Sequence, residues 1–271
     1  MSKKLNEKNK NIIDFFSSYL KINNLVHLED EDSRNSRLKG KRLGILNGSS
    51  WISIWSNYFA KKYLPGVNTI SIGNDAIQFN FMKAYYDRKK CPPEENIKIF
   101  IRNARELEKL ARVDAILITC STMNRSYLKI KNAITIPVVQ IDLPMMEKAV
   151  HCDGKVLIIA THRPTVESSK ILLNETALRM KKNISYTGVL LEKAWEFLSK
   201  GDIIKHNEII ASAIHKKVKK EKLGCVVLAQ LSMSLFTFSY PDALKEFGVP
   251  IYDSGQLGFK YMVKVLENIN K

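Results

Sequence analysis

DAILITCSTMNRSY, Asp114 to Tyr127, changes character in its middle. Asp114 to Thr119 is a short apolar, β-branched run of strand length, and Ser121-Thr122 has the residue types that lead into a helix. The change falls at Cys120. A thiol so placed stands at the carboxyl end of a strand, which in an open α/β sheet is where ligands bind. The stretch therefore predicts a parallel sheet and, at its edge, a thiol placed to react instead of merely packing.

From Lys41 onward the same grammar recurs. RLGIL (Arg42 to Leu46), TISIG (Thr69 to Gly73), IPVVQI (Ile136 to Ile141), KVLIIAT (Lys155 to Thr161), ISYTGVL (Ile184 to Leu190), CVVLA (Cys225 to Ala229) and VPIYD (Val249 to Asp253) are strand-length runs separated by helical patterns. Strands alternating with helices imply parallel sheet and an α/β fold. The order is also written twice. GKRLGILNGSS (Gly40 to Ser50) matches GKVLIIATHRP (Gly154 to Pro164), DAILITCST matches GCVVLAQLS (Gly224 to Ser232), and IPVVQIDLPMMEKAV (Ile136 to Val150) matches VPIYDSGQLGFKYMV (Val249 to Val263). An offset of about 110 residues is too long for a solenoid and suits two duplicated domains. The expected architecture is α/β, with two duplicated Rossmann-like or flavodoxin-like domains whose parallel sheets face a shared cleft. The first domain is expected at residues 39–150, completed by a C-terminal helix at 255–271, and the second at 151–254. Residues 1–38 are expected to form an N-terminal helical extension in which IIDFFSSYLKI (Ile12 to Ile22) has amphipathic spacing, suited to packing on the body or to contact in a homodimer.

The duplication sets Cys120 opposite Gln230. It brings four loops to the cleft: Asn47-Gly48-Ser49-Ser50, Cys120-Ser121-Thr122, Thr161-His162-Arg163-Pro164-Thr165 and Gln230-Leu231-Ser232. They are rich in hydroxyls and amides, and each precedes a helix whose first N–H groups lack partners, so they suit a small carboxylate. The substrate contacts read from them are Asn47, Gly48, Ser49, Ser50, Ser121, Thr122, Thr161, Gln230 and Ser232. For Asn47, Ser49 and Ser50 a plain turn and helix N-cap competes with this reading. For Gln230 the competitor is a buried amide tying the halves together. Trp51 and Trp55, one helical turn apart, are expected in the core.

Composition narrows the classes. The 271 residues carry 43 Lys and Arg against 27 Asp and Glu, a formal charge of +16. The excess is lysine spread over helix faces such as HKKVKKEKLG (His215 to Gly224), without the motifs of nucleic-acid readers, so no nucleic-acid partner is expected. No apolar run approaches the roughly 18 to 20 residues needed to span a bilayer. The polar start MSKKLNEKNK has no signal-like core, and a cytoplasmic location is expected. The cysteines Cys91, Cys120, Cys152 and Cys225 have no CxxC spacing, and the histidines no ligand spacing, so neither disulfides nor a metal site is expected. Cys225, opening CVVLA, reads as a small buried hydrophobe.

At these residues the sequence resembles the aspartate/glutamate racemase superfamily, which includes glutamate, aspartate and hydantoin racemases, maleate cis-trans isomerase and arylmalonate decarboxylase. The resemblance runs from about Lys41 to the C-terminus. It implies a cofactor-independent, PLP-independent enzyme acting on a small amino acid or dicarboxylate at the carbon next to a carboxylate. Family members typically carry Cys-Asn-Thr in the first half and Gly-Cys-Thr in the second. Here the first becomes Cys120-Ser121-Thr122 and the second Ala229-Gln230-Leu231. LAQLSM (Leu228 to Met233), IDLPMMEKAV (Ile141 to Val150) and KGDIIKHN (Lys200 to Asn207) look like a branch usually described only as racemase-like.

The superfamily's racemases take a proton from one face of the α-carbon and return one to the other, so each face needs a titratable group. A thiol, with a pKa of about 8.5 that helix starts can lower, serves one face. Gln230 cannot titrate, which excludes a two-thiol racemase. His162, at a strand end in a cleft loop, can supply the second proton, while His206 reads as a surface or capping residue. The alternatives are one-sided chemistry by Cys120, as in a single-thiol decarboxylase or isomerase, and carboxylate binding without turnover.

Overall fold

A computed structural model describes residues 7–23 and 35–269. In the first half β1 (Arg42–Asn47), α2 (Ser53–Tyr63), β2 (Asn68–Gly73), α3 (Asp75–Tyr86), α4 (Glu94–Lys109) and β3 (Ala115–Ile118) follow a first helix, α1 (Glu7–Asn23). A 3₁₀ turn at Ser121–Ser126, α5 (Tyr127–Lys131), β4 (Val138–Gln140) and α6 (Leu143–Val150) complete it. The second half runs β5 (Lys155–Ala160), α7 (Arg163–Arg179), β6 (Tyr186–Leu190), α8 (Glu192–Ser199), α9 (Ile203–Val218) and β7 (Leu223–Leu228). It ends with a 3₁₀ turn at Leu231–Leu235, α10 (Phe236–Ser239), α11 (Ala243–Phe247), β8 (Ile251–Asp253) and α12 (Ser254–Glu267).

All strand pairs are parallel, in the orders β2-β1-β3-β4 and β6-β5-β7-β8. Each of the strand-length runs read from the sequence holds one of these strands. Both faces of each sheet are covered, as near-continuous apolar strands require. Alternate residues serve opposite faces: Leu43, Ile45 and Leu117 meet Phe59 of α2, while Leu46, Ile116 and Ile118 meet Phe81 and Phe100.

The halves are interlocked by their last helices. Phe259, Met262 and Leu266 of α12 pack on the first sheet. Met145, Met146 and Ala149 of α6 pack on the second, against Val156 and Ile158.

The hydrogen-bond register fixes which residues are equivalent. Thr119 N–H donates to Leu46 O at 2.9 Å, and Ala229 N–H donates to Ile159 O at 2.9 Å. Beyond each, the 3₁₀ turn closes in the same way, Met123 N–H on Cys120 O and Met233 N–H on Gln230 O, both at 3.0 Å. Cys120 and Gln230 are thus structural equivalents. On the neighbouring strands the register pairs Gly48 with Thr161, one residue away from the pairing that sequence matching gives. The shift has a local cause: Lys155 pairs with Leu223 but Val156 with Cys225, so Gly224 is an extra residue in the ladder.

The sequence expectation for the N-terminal extension falls partly on residues 1–6 and 24–34, which lie outside the described residues. Within α1, Ile12, Ile13, Phe15 and Phe16 are exposed instead of packed on the body. The helix is tied at its end by polar contacts, Asn57 Nδ2 to Asn23 Oδ1 at 2.7 Å and Lys61 Nζ to Lys21 O at 2.7 Å.

Candidate active site

The loops after β1, β3, β5 and β7 meet at one cleft. Its polar floor takes in Gly48, Ser49, Cys120, Ser121 and Thr122 from the first half, and His162, Gln230 and Ser232 from the second. Thr119 and Thr165 line it as well, the Thr119 hydroxyl being donated to Asn47 Oδ1 at 2.6 Å. The halves are stitched together beside this floor, where Ser168 Oγ on α7 donates to Ser121 O at 2.7 Å.

Cys120 is partly buried, and its Sγ lies 3.2 Å from Thr122 Oγ1. Burial pushes the thiol above its ordinary pKa, outweighing the Thr122 hydroxyl and the N–H groups of Met123 and Thr122, which act the other way. Asp142 adds a smaller push upward. The expectation that the helix start would lower this pKa is corrected: the N–H groups are present, but desolvation of the thiolate is the larger effect. The loop rests on a buried polar support in which Asn124 Nδ2 donates to Asp142 Oδ2 at 3.0 Å and Gln140 Nε2 donates to Asn124 O at 3.0 Å.

Opposite Cys120 in the duplication, Gln230 is fixed by its carbonyl. Its Oε1 accepts the Thr161 N–H at 2.5 Å and the Thr161 hydroxyl at 2.9 Å. Because a backbone N–H can only donate, this pair sets the orientation of the amide and leaves the Gln230 NH₂ as a donor for the cleft. His162, the residue after Thr161, packs its ring on Trp195 at 4.6 Å. Burial lowers its pKa below the ordinary imidazole value, the charge of Glu192 acting in the opposite sense as the smaller effect, which favours the neutral imidazole.

Not every expected contact reaches the cleft. The Asn47 carbonyl oxygen accepts from Ser56 and Thr119 hydroxyls, both at 2.6 Å, so this buried side chain braces β1 against α2 and β3. Ser50 turns away to Asp75. Thr161 is buried behind Gln230 and spends its hydroxyl on it. His206 is neither a surface nor a capping residue; it is fully buried, with Nδ1 2.8 Å from Ala194 O. Trp51 is not a core residue. It lines the cleft, its Nε1 donates to Gln78 Oε1 at 3.3 Å, and it packs on Trp195 at 5.5 Å and Trp55 at 5.3 Å.

Sequence reasoning also missed one wall. Ile77, Gln78, Phe81 and Met82 of α3 line the cleft, joined by Ile52 and Leu231. The signal was available, since AIQFNFM repeats apolar residues at helical spacing directly after a strand.

Among the described residues no group of three or more His, Cys, Asp and Glu side chains could hold a metal ion, and no helix is long and apolar enough to cross a membrane.

Solved structures share this architecture. Aspartate racemase from Picrophilus torridus superposes with a TM-score of 0.62 at 16% identity, covering 86% of this chain and 96% of its own. Glutamate racemase from Bacillus anthracis gives 0.60 at 18%, covering 84% and 82%. Allantoin racemase from Pseudomonas fluorescens gives 0.59 at 13%, covering 83% and 90%. At such identities the likeness establishes the fold. No curated protein matches the sequence. The family model for Asp/Glu/hydantoin racemases matches residues 81–262, a span that takes in β3 with Cys120 and the whole of the second sheet. With that match over most of its length, the chain belongs to the Asp/Glu/hydantoin racemase family.

Proposed function

We propose that the protein is an isomerase that exchanges the proton on the carbon α to a carboxylate of a small amino acid, using Cys120 and His162 as its two proton carriers. One observation carries this reading. The two groups come from opposite halves of the duplicated fold to one cleft, and burial pushes their pKa values apart, the thiol upward and the imidazole downward. Such a pair rests as a neutral acid and a neutral base, which is the arrangement proton transfer at neutral pH needs.

In one direction His162 takes the α-proton as Cys120 delivers its own to the opposite face, leaving imidazolium and thiolate. That state is the competent one for the reverse direction, so the cycle needs no external oxidant or reductant. The developing negative charge on the substrate carboxylate is met by hydroxyls of Ser49, Ser121, Thr122 and Ser232, and by the amide NH₂ of Gln230. Gln230 holds the substrate and exchanges nothing. Thr161 acts through Gln230, and Gly48 through the space it leaves for Cys120.

The test is chiral chromatography of each enantiomer of a candidate amino acid after incubation with the purified protein. Interconversion abolished by both Cys120→Ala and His162→Asn supports the pair. Exchange of the α-proton with retained configuration would instead mean chemistry on one face only, with Cys120 as sole carrier and Gln230 as a passive opposite wall.

A further inference from the structure

The cleft has two unlike sides. Around Cys120 it is hydroxyl and amide; away from it, the wall is apolar. The α3 residues Ile77, Phe81 and Met82 stand on one helix face, and Trp51 closes the wall, held by Gln78 and Trp195. The opposite face of α3 is plainly solvent, since Phe79 is 73% exposed.

Charge is absent where a second carboxylate would need it. The chain carries a formal +16, yet among the described residues no Lys, Arg, Asp or Glu side chain lines the cleft. The nearest cation along the chain, Arg163 in the first turn of α7, is exposed and acts on Tyr85, whose hydroxyl donates to Glu167 at 2.9 Å outside the lining. The neutral imidazole of His162 offers no counter-charge either. A carboxylate pressed on the α3 wall would lose its water and gain only the uncharged NH₂ of Gln78, whose oxygen is taken by Trp51, whereas an alkyl group there would lose only unfavourable hydration.

We propose that Trp51, Ile77, Phe81 and Met82 form the substrate's side-chain subsite and that it selects an apolar substituent over a second carboxylate, so that the acid turned over resembles leucine more than aspartate. The proposal rests on the reading of this cleft as the place of α-proton exchange and settles which branch of substrates it serves. Leucine and aspartate are a fair pair because both side chains branch to two heavy atoms at the γ-carbon; the methyl groups are bulkier than the oxygens, and charge is the larger difference.

The experiment separates subsite from chemistry. Binding of the unreactive acids isocaproate and succinate, which differ only in that same group, is measured by calorimetry or ligand-observed NMR on the intact protein. Isocaproate is expected to bind at least about tenfold tighter, and Met82→Lys, which places an ammonium on the wall, to reverse the order. Succinate binding as tightly as isocaproate, or neither acid binding, overturns the proposal, and this comparison on the unmodified protein holds whether or not the variant folds. Exchange of the α-proton is then followed for leucine and aspartate. Isocaproate binding without exchange of either amino acid would sink the racemase reading and leave the subsite standing. Faster exchange of aspartate would keep the chemistry and sink the subsite.

Discussion

Gln230 holds in the second half the place that Cys120 holds in the first, and the residues beside them differ in kind. A Cβ on Gly48 would run into Cys120 Sγ, so glycine is what leaves the thiol its room. Thr161, at the equivalent position, fills that room and donates both N–H and hydroxyl to the Gln230 carbonyl. One half is built around a free thiol and the other around a fixed amide.

Gly48→Ala should therefore displace Cys120 without unfolding the protein. Overpacking of this kind costs about 1 to 3 kcal/mol. A thiol moved by an ångström should lower turnover by about 100-fold. Thermal midpoint and kcat/KM measured on the same preparation check both halves of the expectation; unaltered turnover would mean the thiol's position is immaterial.

Gln230→Ala should destabilise the protein by about 1 to 3 kcal/mol, because the Thr161 N–H, in a residue only 1% exposed, loses its acceptor. Gln230→Glu keeps an acceptor and should recover most of that loss. Denaturant titrations of the three proteins decide it. Equal stability of the Ala variant would show the amide to be unstrained and dispensable.

The acid–base pair fixes the shape of the pH profile. His162 must be neutral to accept a proton, so activity rises through its lowered pKa, below about 6.5. Cys120 must be protonated to donate, so activity falls only through its raised pKa, above the usual thiol range near 8.5. A bell with a flat top from neutral to mildly alkaline pH is expected in initial rates. A rate that climbs from pH 7.5 to 9 as thiolate forms would point to a thiolate nucleophile or base acting without His162.

His206 should make the fold acid-sensitive. Its pKa is lowered by burial, only partly offset by the bond to Ala194 O, and its Nε2 has no partner among the described residues. As pH falls below about 6.5 the unfolded chain takes up this proton before the folded one does, so stability drops with falling pH. His162 adds an effect of the same sign. Melting curves between pH 7.5 and 5 should show a steep decline that His206→Phe flattens. An unchanged slope in that variant would assign the acid sensitivity elsewhere.

Much of this was legible because it is local. Apolar runs of strand length mark β1 to β8, and the Cys120 and Gln230 loops can be matched from the repeat alone. What escaped depends on partners distant in the chain. Gly224 shifts the ladder by one residue and moves the partner of Thr161 from Asn47 to Gly48, a change that no pattern of side chains reports. Trp51 has the spacing of a core residue, yet it lines the cleft and packs on Trp195, far along the chain. His206 looks like a polar residue at a helix start, but α8 supplies a carbonyl that lets it be buried. The α3 wall lies after an edge strand whose end faces the cleft only because of the sheet order.

The central claim is that Cys120 carries a substrate proton. Its most direct test is the loss of the α-proton signal of each enantiomer of leucine in D₂O, followed by NMR with the unmodified protein and with Cys120→Ala. The unmodified protein is expected to exchange the proton of both, and removal of the thiol to slow exchange by about 100-fold or more for the enantiomer whose α-proton faces Cys120, in line with the contribution of a positioned acid or base, while His162 still serves the other. Exchange that continues at the same rate for both enantiomers in Cys120→Ala would contradict the claim.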